Sequence, residues 1–192
     1  RPKQAKALNR SDADSFMQAL PDTPSGVRDR AIIAVGYDIL ARRSELVALK
    51  TSDITFRDDG CARIIIRRSK ADPFGSGRFA FTSRETAKLL RDWLNWCGDN
   101  REYLFCPIYQ GKAIDRSLTP TTIKRVIKKA AKLAGYDEID VGEFSGHSMR
   151  VGAAQDLLCA GHDTAAIMRA GGWKSVAVLA RYLENAEHNV WA

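Results

Sequence analysis

Residues 144–161 have the sequence FSGHSMRVGAAQDLLCAG, the most informative segment of the chain. Its small and apolar residues predict a helix over about 147–160, with Gly161 as the stop. Residues three apart share one face of a helix, so His147 and Arg150 are expected to point the same way. A guanidinium binds two phosphate oxygens at once, and an imidazole donates to a third or moves a proton. Taken alone, however, the pair is better explained as a surface histidine beside an unrelated arginine.

Two more helices are predicted on the carboxyl-terminal side, over about 163–170, with Gly171 as the stop, and over about 175–186. The second should bury three of its residues, Val176, Leu179 and Leu183. Tyr182 in this helix either edges the core, as most helical tyrosines do, or attacks phosphorus as a nucleophile. Trp173 offers one N–H donor and no acid or base, and is either a functional donor or a buried core aromatic.

On the amino-terminal side of residue 144 the sequence predicts helices around a small sheet. Helices are expected from Ser11 or Asp12 to about residue 20, and over 27–40 and 44–49. A further helix is expected to begin after a Thr82/Glu85 capping box and to reach about residue 97. Another is expected after the cap Thr119, with Gly135 just past its end. Strands are expected over 53–56, 62–68 and 78–82, with a turn at 58–60. The predicted class is α+β, predominantly α-helical with a small antiparallel sheet.

Arg42, Glu45 and Lys70 are further candidates for chemistry. Glu45 follows Arg42 by three positions, so its carboxylate is placed to orient that guanidinium or a neighbouring group. Alternatively, Arg42 and Arg43 are cations that complement a helix carboxyl terminus. Lys70 lies at the tip of the hairpin between the second and third strands, where the nearby cations are arginines. Lysine in a suitable site releases a proton to a leaving alkoxide, whereas arginine hardly ever does; a solvated loop lysine is the alternative.

The order Arg, Lys, H-x-x-R, Trp, Tyr resembles the tyrosine recombinase family, also called the phage integrases, and in particular its Cre-like branch. The matching segments are LARRSELVAL (40–49), EYLFC (102–106), FSGHSMRVGAAQDLLCAG (144–161), IMRAGGWKS (167–175) and RYLEN (181–185). The resemblance extends from about Ala7 to Asn185 and implies the catalytic-domain fold of DNA breaking-rejoining enzymes. Trp173 departs from the wider family, in which most members have a second histidine there, so hydrogen bonding rather than proton transfer is expected at this position.

The resemblance implies how the scissile phosphate is bound. Arg42 and Arg150 would bind its non-bridging oxygens, and Trp173 would donate to it and brace the site. Glu45 matches an acidic position with a supporting role. Fixed positive charge of this kind stabilises the charge that develops on phosphorus oxygens during phosphoryl transfer.

The resemblance also implies the residues that move protons and make the covalent bond. Tyr182 would attack phosphorus and form a 3′-phosphotyrosyl bond. His147 would assist phosphate binding and take the tyrosine proton, and Lys70 would protonate the departing 5′ oxygen. The phosphodiester is stored in this bond, which agrees with the lack of a G-x-x-x-x-G-K-[ST] motif for ATP.

The expected organisation follows from the same resemblance. Residues 1–10 would be a linker from a missing N-terminal core-binding domain, and residues 11–192 the catalytic domain, with a tail over 186–192. The protein would be a monomer when free and a tetramer on paired DNA sites, with Trp191 of the tail docked on a neighbouring protomer. A cytoplasmic, nucleoid-associated protein encoded by a bacterium or phage is expected.

Charge and composition limit the partners. The formal charge of +7 and the pI of about 9.4 favour a polyanion such as double-stranded DNA, although charge alone is equally compatible with a basic surface that has no such partner. The helix after Thr119 has cations that are expected to contact the DNA backbone, unless they are an ordinary solvated face: Lys124, Arg125, Lys128, Lys129 and Lys132. The four cysteines and three histidines lack metal-site spacing, and no apolar run is long enough to span a bilayer, so no metal, cofactor or membrane is expected.

Three functions are compatible with these features. The first is a site-specific recombinase that cleaves and rejoins DNA without metal or ATP. The second is a type IB topoisomerase-like relaxing enzyme, which shares the nucleophile but needs no paired synapse. The third is a DNA-binding regulator with no cutting activity. The intact set of six catalytic residues favours the catalytic functions over the third.

Overall fold

The computed structural model describes residues 3–67 and 77–191. Within these ranges the helices are Arg10–Ala19 (α1), Pro24–Asp38 (α2), Arg43–Ala48 (α3), Arg84–Cys97 (α4), Pro120–Leu133 (α5), Glu138–Glu143 (α6), Ser148–Cys159 (α7), Thr164–Gly171 (α8) and Val176–Leu183 (α9). The strands are Ile54–Phe56 (β1), Ala62–Ile66 (β2), Arg78–Phe81 (β3), Ile108–Tyr109 (β4) and Lys112–Ala113 (β5). The predicted α+β class, mostly helical with a small antiparallel sheet, is confirmed.

The three-stranded sheet has the order β1-β2-β3 and is antiparallel throughout. Gly60 has φ 86°, which supplies the left-handed conformation needed in the predicted turn between β1 and β2. Ala80 of β3 pairs with Ile64 of β2, and both side chains are buried. Alternation along β3 therefore turns Arg78 inward with Ala80 and leaves Phe79 and Phe81 exposed.

Buried side chains form two hydrophobic clusters. The larger surrounds α2, whose residues 31–35 are all buried, and includes side chains of α1, α3, α4 and α5. The smaller joins the end of α2 to α7, α8 and α9, and its buried members are Leu40, Ala153, Ala154, Ile167, Trp173 and Leu179. Tyr182 packs against this smaller cluster, so the candidate site lies where the two carboxyl-terminal helices meet the rest of the molecule.

Several helix ends differ from those predicted. The N-cap of α1 is Asn9 rather than Ser11 or Asp12, because the Asn9 side chain accepts from the Asp12 amide. The cap of α4 is Ser83 rather than Thr82, since the Thr82 hydroxyl accepts from an amide of β2 instead. Gly171 is not the stop of α8, because Gly172, with φ 71°, takes the left-handed position.

Other features also differ from the expectations. Helix α2 begins at Pro24 rather than residue 27, because Thr23 caps it and proline suits the first helical position. In α9 only Leu179 is fully buried, while Val176 is exposed and Leu183 half-buried, so the predicted inward face was wrong at Val176. Helix α6 and the β4–β5 hairpin were not predicted.

The chain before α1 packs against α7. Leu8 is fully buried in the larger cluster, and its amide donates to the Ser148 carbonyl at 2.9 Å. The contact is so close at Gly152 that a Cβ there would lie 1.8 Å from the Leu8 carbonyl oxygen. Leu8, inside the predicted 1–10 linker, is thus part of the core.

Candidate active site

Tyr182 and His147 form a hydrogen-bonded pair at the junction of two helices. His147 is the N-cap residue of α7, and Tyr182 is the last residue but one of α9. The Tyr182 hydroxyl lies 2.5 Å from His147 Nε2. A phenol with an imidazole at this distance has a proton acceptor in place before any substrate binds.

The surroundings of His147 favour its neutral form. Burial lowers the pKa of the imidazole below its ordinary value, and the positive charges of Arg150, Arg42 and Arg43 lower it further, against a smaller opposing effect of Glu45. A neutral imidazole at neutral pH can accept the phenolic proton, whereas an imidazolium cannot.

Arg150 lies at the centre of the site. Its side chain is fully buried, with Nη1 donating to the carbonyls of Leu40 and Gly171, each at 2.7 Å. The guanidinium carbon is 3.7 Å from the ring centroid of Trp173, a cation–π contact. Burial lowers the pKa of Arg150 to about 10, so it is still a cation at neutral pH.

Several buried donors around this guanidinium have no partner in the part of the chain that the structure describes. Arg150 Nε, Arg150 Nη2 and Trp173 Nε1 are buried and have no hydrogen-bond partner among the described residues. Buried polar groups are nearly always paired, so a cluster of unpaired donors indicates a ligand with acceptor atoms. The Tyr182 ring lies 5.2 Å from the Trp173 ring, which places these donors beside the phenol.

Glu45 joins Arg42 to a third arginine. Its buried carboxylate accepts from the Arg42 amide at 2.8 Å and from Arg78 Nη1 at 2.7 Å, while Arg42 Nη1 is more distant at 3.5 Å. Burial acts to raise the pKa of Glu45, but the charges and hydrogen bonds of Arg78 and Arg42 outweigh it and hold the pKa below the ordinary value. Glu45 is therefore ionised, and the Arg42 side chain is 38% exposed and only loosely held.

Arg78 is the site residue that sequence reasoning did not single out. Its Nη2 donates to the Ile39 carbonyl at 2.9 Å and lies 3.4 Å from the Leu40 carbonyl, which Arg150 also uses. Arg78 differs from the other arginines of the sheet in its inward position in β3, on the face away from the exposed Phe79. The direction in which β3 faces is therefore the feature that would have identified Arg78 as a site residue.

Lys70, the predicted proton donor to the leaving oxygen, lies outside the described residues.

The five predicted DNA contacts on α5 divide by exposure. Four are exposed, namely Lys124, Arg125, Lys129 and Lys132, whereas Lys128 is half-buried. Lys128 Nζ donates to the carbonyls of Val141 at 2.9 Å and Gly142 at 2.8 Å.

Two broader features concern residues 3–67 and 77–191 only. No three Cys, His, Asp or Glu side chains there are grouped so that they could hold a metal ion. In the same ranges no helix has the length and apolar character needed to cross a membrane.

The sequence matches known recombinases over most of its length. The model of the phage integrase family matches residues 6–189. The recombinase Cre of Escherichia phage P1 is 30% identical over 205 residues, which cover 100% of this chain and 60% of that protein. An integrase/recombinase XerD homolog of Selenomonas ruminantium is 34% identical over 167 residues, covering 83% of this chain and 48% of that protein. The chain thus spans about half to three-fifths of the length of these relatives.

Solved structures agree with the sequence matches. The crystal structure of XerA recombinase superposes with a TM-score of 0.73 at 25% identity, covering 100% of this chain and 62% of that one. XerH site-specific recombinase bound to its difH substrate, in a pre-cleavage complex, gives 0.72 at 22% identity, covering 94% of this chain and 51% of that one. The expected catalytic-domain fold is confirmed.

Proposed function

The chain belongs to the phage integrase family, and from this we propose that it is the catalytic domain of a tyrosine-type site-specific DNA recombinase. It would cleave and rejoin DNA strands through a 3′-phosphotyrosyl bond made by Tyr182, without metal or ATP. The observation that supports this most directly is the 2.5 Å contact between the Tyr182 hydroxyl and His147 Nε2, beside buried donors of Arg150 and Trp173 that have no partner within residues 3–67 and 77–191.

The scissile phosphate would be bound by the buried donors. Arg150 Nε and Nη2 and the indole N–H of Trp173 would donate to its non-bridging oxygens, and Arg42, loosely held and partly exposed, would swing onto another. The Glu45–Arg78 ion pair would stay in place and orient Arg42 through its backbone amide. Fixed donors of this kind stabilise charge on phosphorus oxygens without reorganisation during the reaction.

The proposed cleavage step is a proton-balanced displacement at phosphorus. The Tyr182 oxygen forms the new P–O bond as its proton passes to neutral His147 Nε2. The bond from phosphorus to the 5′ oxygen breaks, and that oxygen takes a proton from Lys70. Rejoining reverses each transfer when a 5′ hydroxyl of the partner strand attacks the phosphotyrosine.

Partners and organisation are part of the same proposal. Double-stranded DNA would be the substrate, contacted through its backbone by the cations of α5, since phosphate contacts set register without reading sequence. Because the chain spans 60% of Cre, a core-binding domain would precede residues 1–10 in the whole protein. A tetramer would form on paired sites, with the free domain a monomer and the exposed Trp191 docked on a neighbour. The cell compartment would be the bacterial cytoplasm, on the nucleoid.

Covalent trapping tests the proposal. The full-length protein is mixed with a nicked suicide DNA substrate that contains its target site, with EDTA present, and adducts are resolved on a denaturing gel. We expect an adduct with the wild type and none with Tyr182→Phe, because only the hydroxyl is lost. Tyr103→Phe is a matched control, since the backbone of that tyrosine pairs with Lys50 and its hydroxyl has no role in the proposed mechanism, so adduct formation should stay intact.

The same assay distinguishes the alternative functions. An adduct together with relaxation of any supercoiled plasmid would indicate the topoisomerase-like enzyme instead. Tight binding to a verified site without any adduct would indicate the non-cutting regulator and contradict the proposal.

A further inference from the structure

We propose that Gln4 and Gln155 are positioning residues that hold the last turn of α9 and thereby fix the Tyr182 hydroxyl against His147. The inference deepens the proposed function, because the position of this turn matters for chemistry only if Tyr182 is the nucleophile. Neither glutamine is among the donors assigned to phosphate.

Tyr182 lies in the last turn of a short helix, a turn whose carbonyls lack hydrogen-bond partners inside the helix. Helix α9 has eight residues, and Tyr182 is the last but one. The last four carbonyls of any helix have no partner inside it, so this end frays first. Leu179 is the only residue of α9 that is fully buried, and the C-cap residue Glu184 has a right-handed conformation rather than the left-handed one that closes many helices.

Two side-chain amides supply donors to these carbonyls. Gln4 Nε2 donates to the Arg181 carbonyl at 2.8 Å, and Gln155 Nε2 donates to the Tyr182 carbonyl at 2.9 Å. The next carbonyl, that of Leu183, accepts from the Ala186 amide at 3.0 Å. Three consecutive carbonyls around the nucleophile are therefore paired, two of them by glutamines from distant parts of the chain.

Both glutamines connect α9 to α7, whose N-cap residue is His147. Gln155 belongs to α7 itself, two turns beyond its N-cap His147. Gln4 belongs to the segment before α1, in which the Leu8 amide donates to the Ser148 carbonyl and the Leu8 side chain is buried. Gln155 thus connects the Tyr182 carbonyl directly to α7, and Gln4 connects the preceding carbonyl to a segment that is itself bonded to α7.

The consequence is a defined 2.5 Å distance between Tyr182 and His147. Without one amide, the last turn of α9 would open more often, and the hydroxyl would spend less time in line with phosphorus. One neutral hydrogen bond corresponds to about a 3- to 10-fold change in an equilibrium. We expect adduct formation to fall by that factor for each glutamine, while DNA affinity stays unchanged.

Gln→Met substitutions test the inference, since methionine keeps the length and removes the donor. The variants Gln4→Met and Gln155→Met are made in the full-length protein, with Gln18→Met, on the exposed side of α1, as the matched control. Single-turnover adduct formation on the suicide substrate and DNA affinity are measured for each. Hydrogen exchange of the α9 amides is measured without DNA. Gln155→Lys, which restores a donor, should recover most of the lost rate.

The outcomes separate the inference from the proposed function. Faster exchange confined to α9, with slower adduct formation and unchanged DNA affinity, supports it. Exchange and adduct rates equal to those of Gln18→Met overturn it, as does faster exchange throughout the domain, which would mean a general loss of stability. If the wild type forms no adduct on a verified site, the proposed function fails, and the adduct rates of the variants carry no information about the glutamines. The hydrogen-exchange measurement does not depend on cleavage, so it still decides whether the glutamines hold α9.

Discussion

Among single residues, Leu40 makes the site depend on a strained backbone position. Its φ of 52° lies in the left-handed region, which costs a non-glycine residue about 1–2 kcal/mol. In that conformation its carbonyl accepts from Arg150 Nη1 at 2.7 Å and lies 3.4 Å from Arg78 Nη2. Its side chain is 3% exposed and belongs to the smaller cluster. Burial and two arginines offset the strain.

Leu40→Gly should be less destabilising than Leu40→Ala. Both changes remove the buried side chain, which for a Leu→Ala change costs about 2–5 kcal/mol. Only glycine relieves the positive φ, so its variant should be the more stable by about 1 kcal/mol. Urea unfolding of the two variants measures the difference. Equal stabilities, or a more stable alanine variant, would show that the backbone at residue 40 is not strained.

The pH dependence of cleavage should follow His147. Its pKa is lowered by burial and by nearby arginines, so the neutral imidazole persists below the pH at which an ordinary histidine, with a pKa of about 6.5, becomes charged. Adduct formation should therefore be constant around pH 7 and fall only at lower pH, as the imidazole takes up a proton. The rate on the suicide substrate is measured from pH 5 to 8.

The same shift has a consequence for stability. The unfolded chain binds a proton at His147 at a higher pH than the folded chain does, so this residue makes folding less favourable as pH falls through that window. His147→Gln should flatten the acid side of two pH profiles, that of the cleavage rate and that of the free energy of unfolding. A cleavage rate that already falls between pH 8 and 7 would contradict a lowered pKa.

At the level of elements, α5 combines a buried face with a basic one. Its buried residues are Ile123, Val126, Ile127, Ala130 and Ala131, and they pack in the larger cluster. The cations project from the other side, with Lys128 as the exception, because its ammonium is bonded to two carbonyls at the end of α6. Exposure thus divides the five predicted contacts into two kinds.

The salt dependence of DNA binding should reveal this division. Replacing Lys124 or Lys129 by Gln should reduce the slope of log affinity against log salt by about 1, because each phosphate contact releases about one counterion. Lys128→Gln should leave that slope unchanged and lower the free energy of unfolding by about 0.5–1.5 kcal/mol, since the carbonyls of α6 exchange a charged donor for a shorter, neutral one. Titrations at several salt concentrations, with urea unfolding, measure both. Equal slopes for Lys128→Gln and Lys129→Gln would contradict the division.

The elements show how far the sequence could predict the fold. The helices over 147–160 and 163–170 and the three strands were predictable, because small or apolar runs end at glycines and turns. Helix α6 was not, since it has six residues, none of them buried, and so no hydrophobic stripe. Strands β4 and β5 have two residues each, which are too few to show the alternation of a strand. Gln110 in their turn has a left-handed conformation, which a glutamine in the sequence does not predict.

The site residues that could be predicted are those that the spacing and order of residues along the chain identify. His147 and Arg150 are linked by helical spacing, and the resemblance supplied Arg42, Trp173 and Tyr182. Arg78 was missed because its importance depends on which way a four-residue strand faces, and tertiary packing decides that. The Gln4–Arg181 contact joins residues 177 positions apart, which no local pattern reveals.

Across the whole molecule, the two hydrophobic clusters differ in size and role. The larger joins the first five helices to the sheet, and the smaller has six fully or nearly buried residues, which attach α8 and α9 to α7 and the end of α2. Regions with few buried apolar contacts open locally at a lower free energy than the core. The part of the molecule that holds Trp173 and Tyr182 is therefore expected to open before the rest.

Ile167→Ala should separate the stability of this part from that of the whole domain. Ile167 is fully buried in the smaller cluster, so its truncation should lower the free energy of opening for α8 and α9 by about 2–4 kcal/mol. Ile123→Ala, at an equally buried site in the larger cluster, should lower protection throughout the domain, since global unfolding exposes every amide. Native-state hydrogen exchange on both variants measures the two effects. A uniform loss of protection in Ile167→Ala would mean that the clusters unfold together, and that the nucleophile is held as firmly as the core.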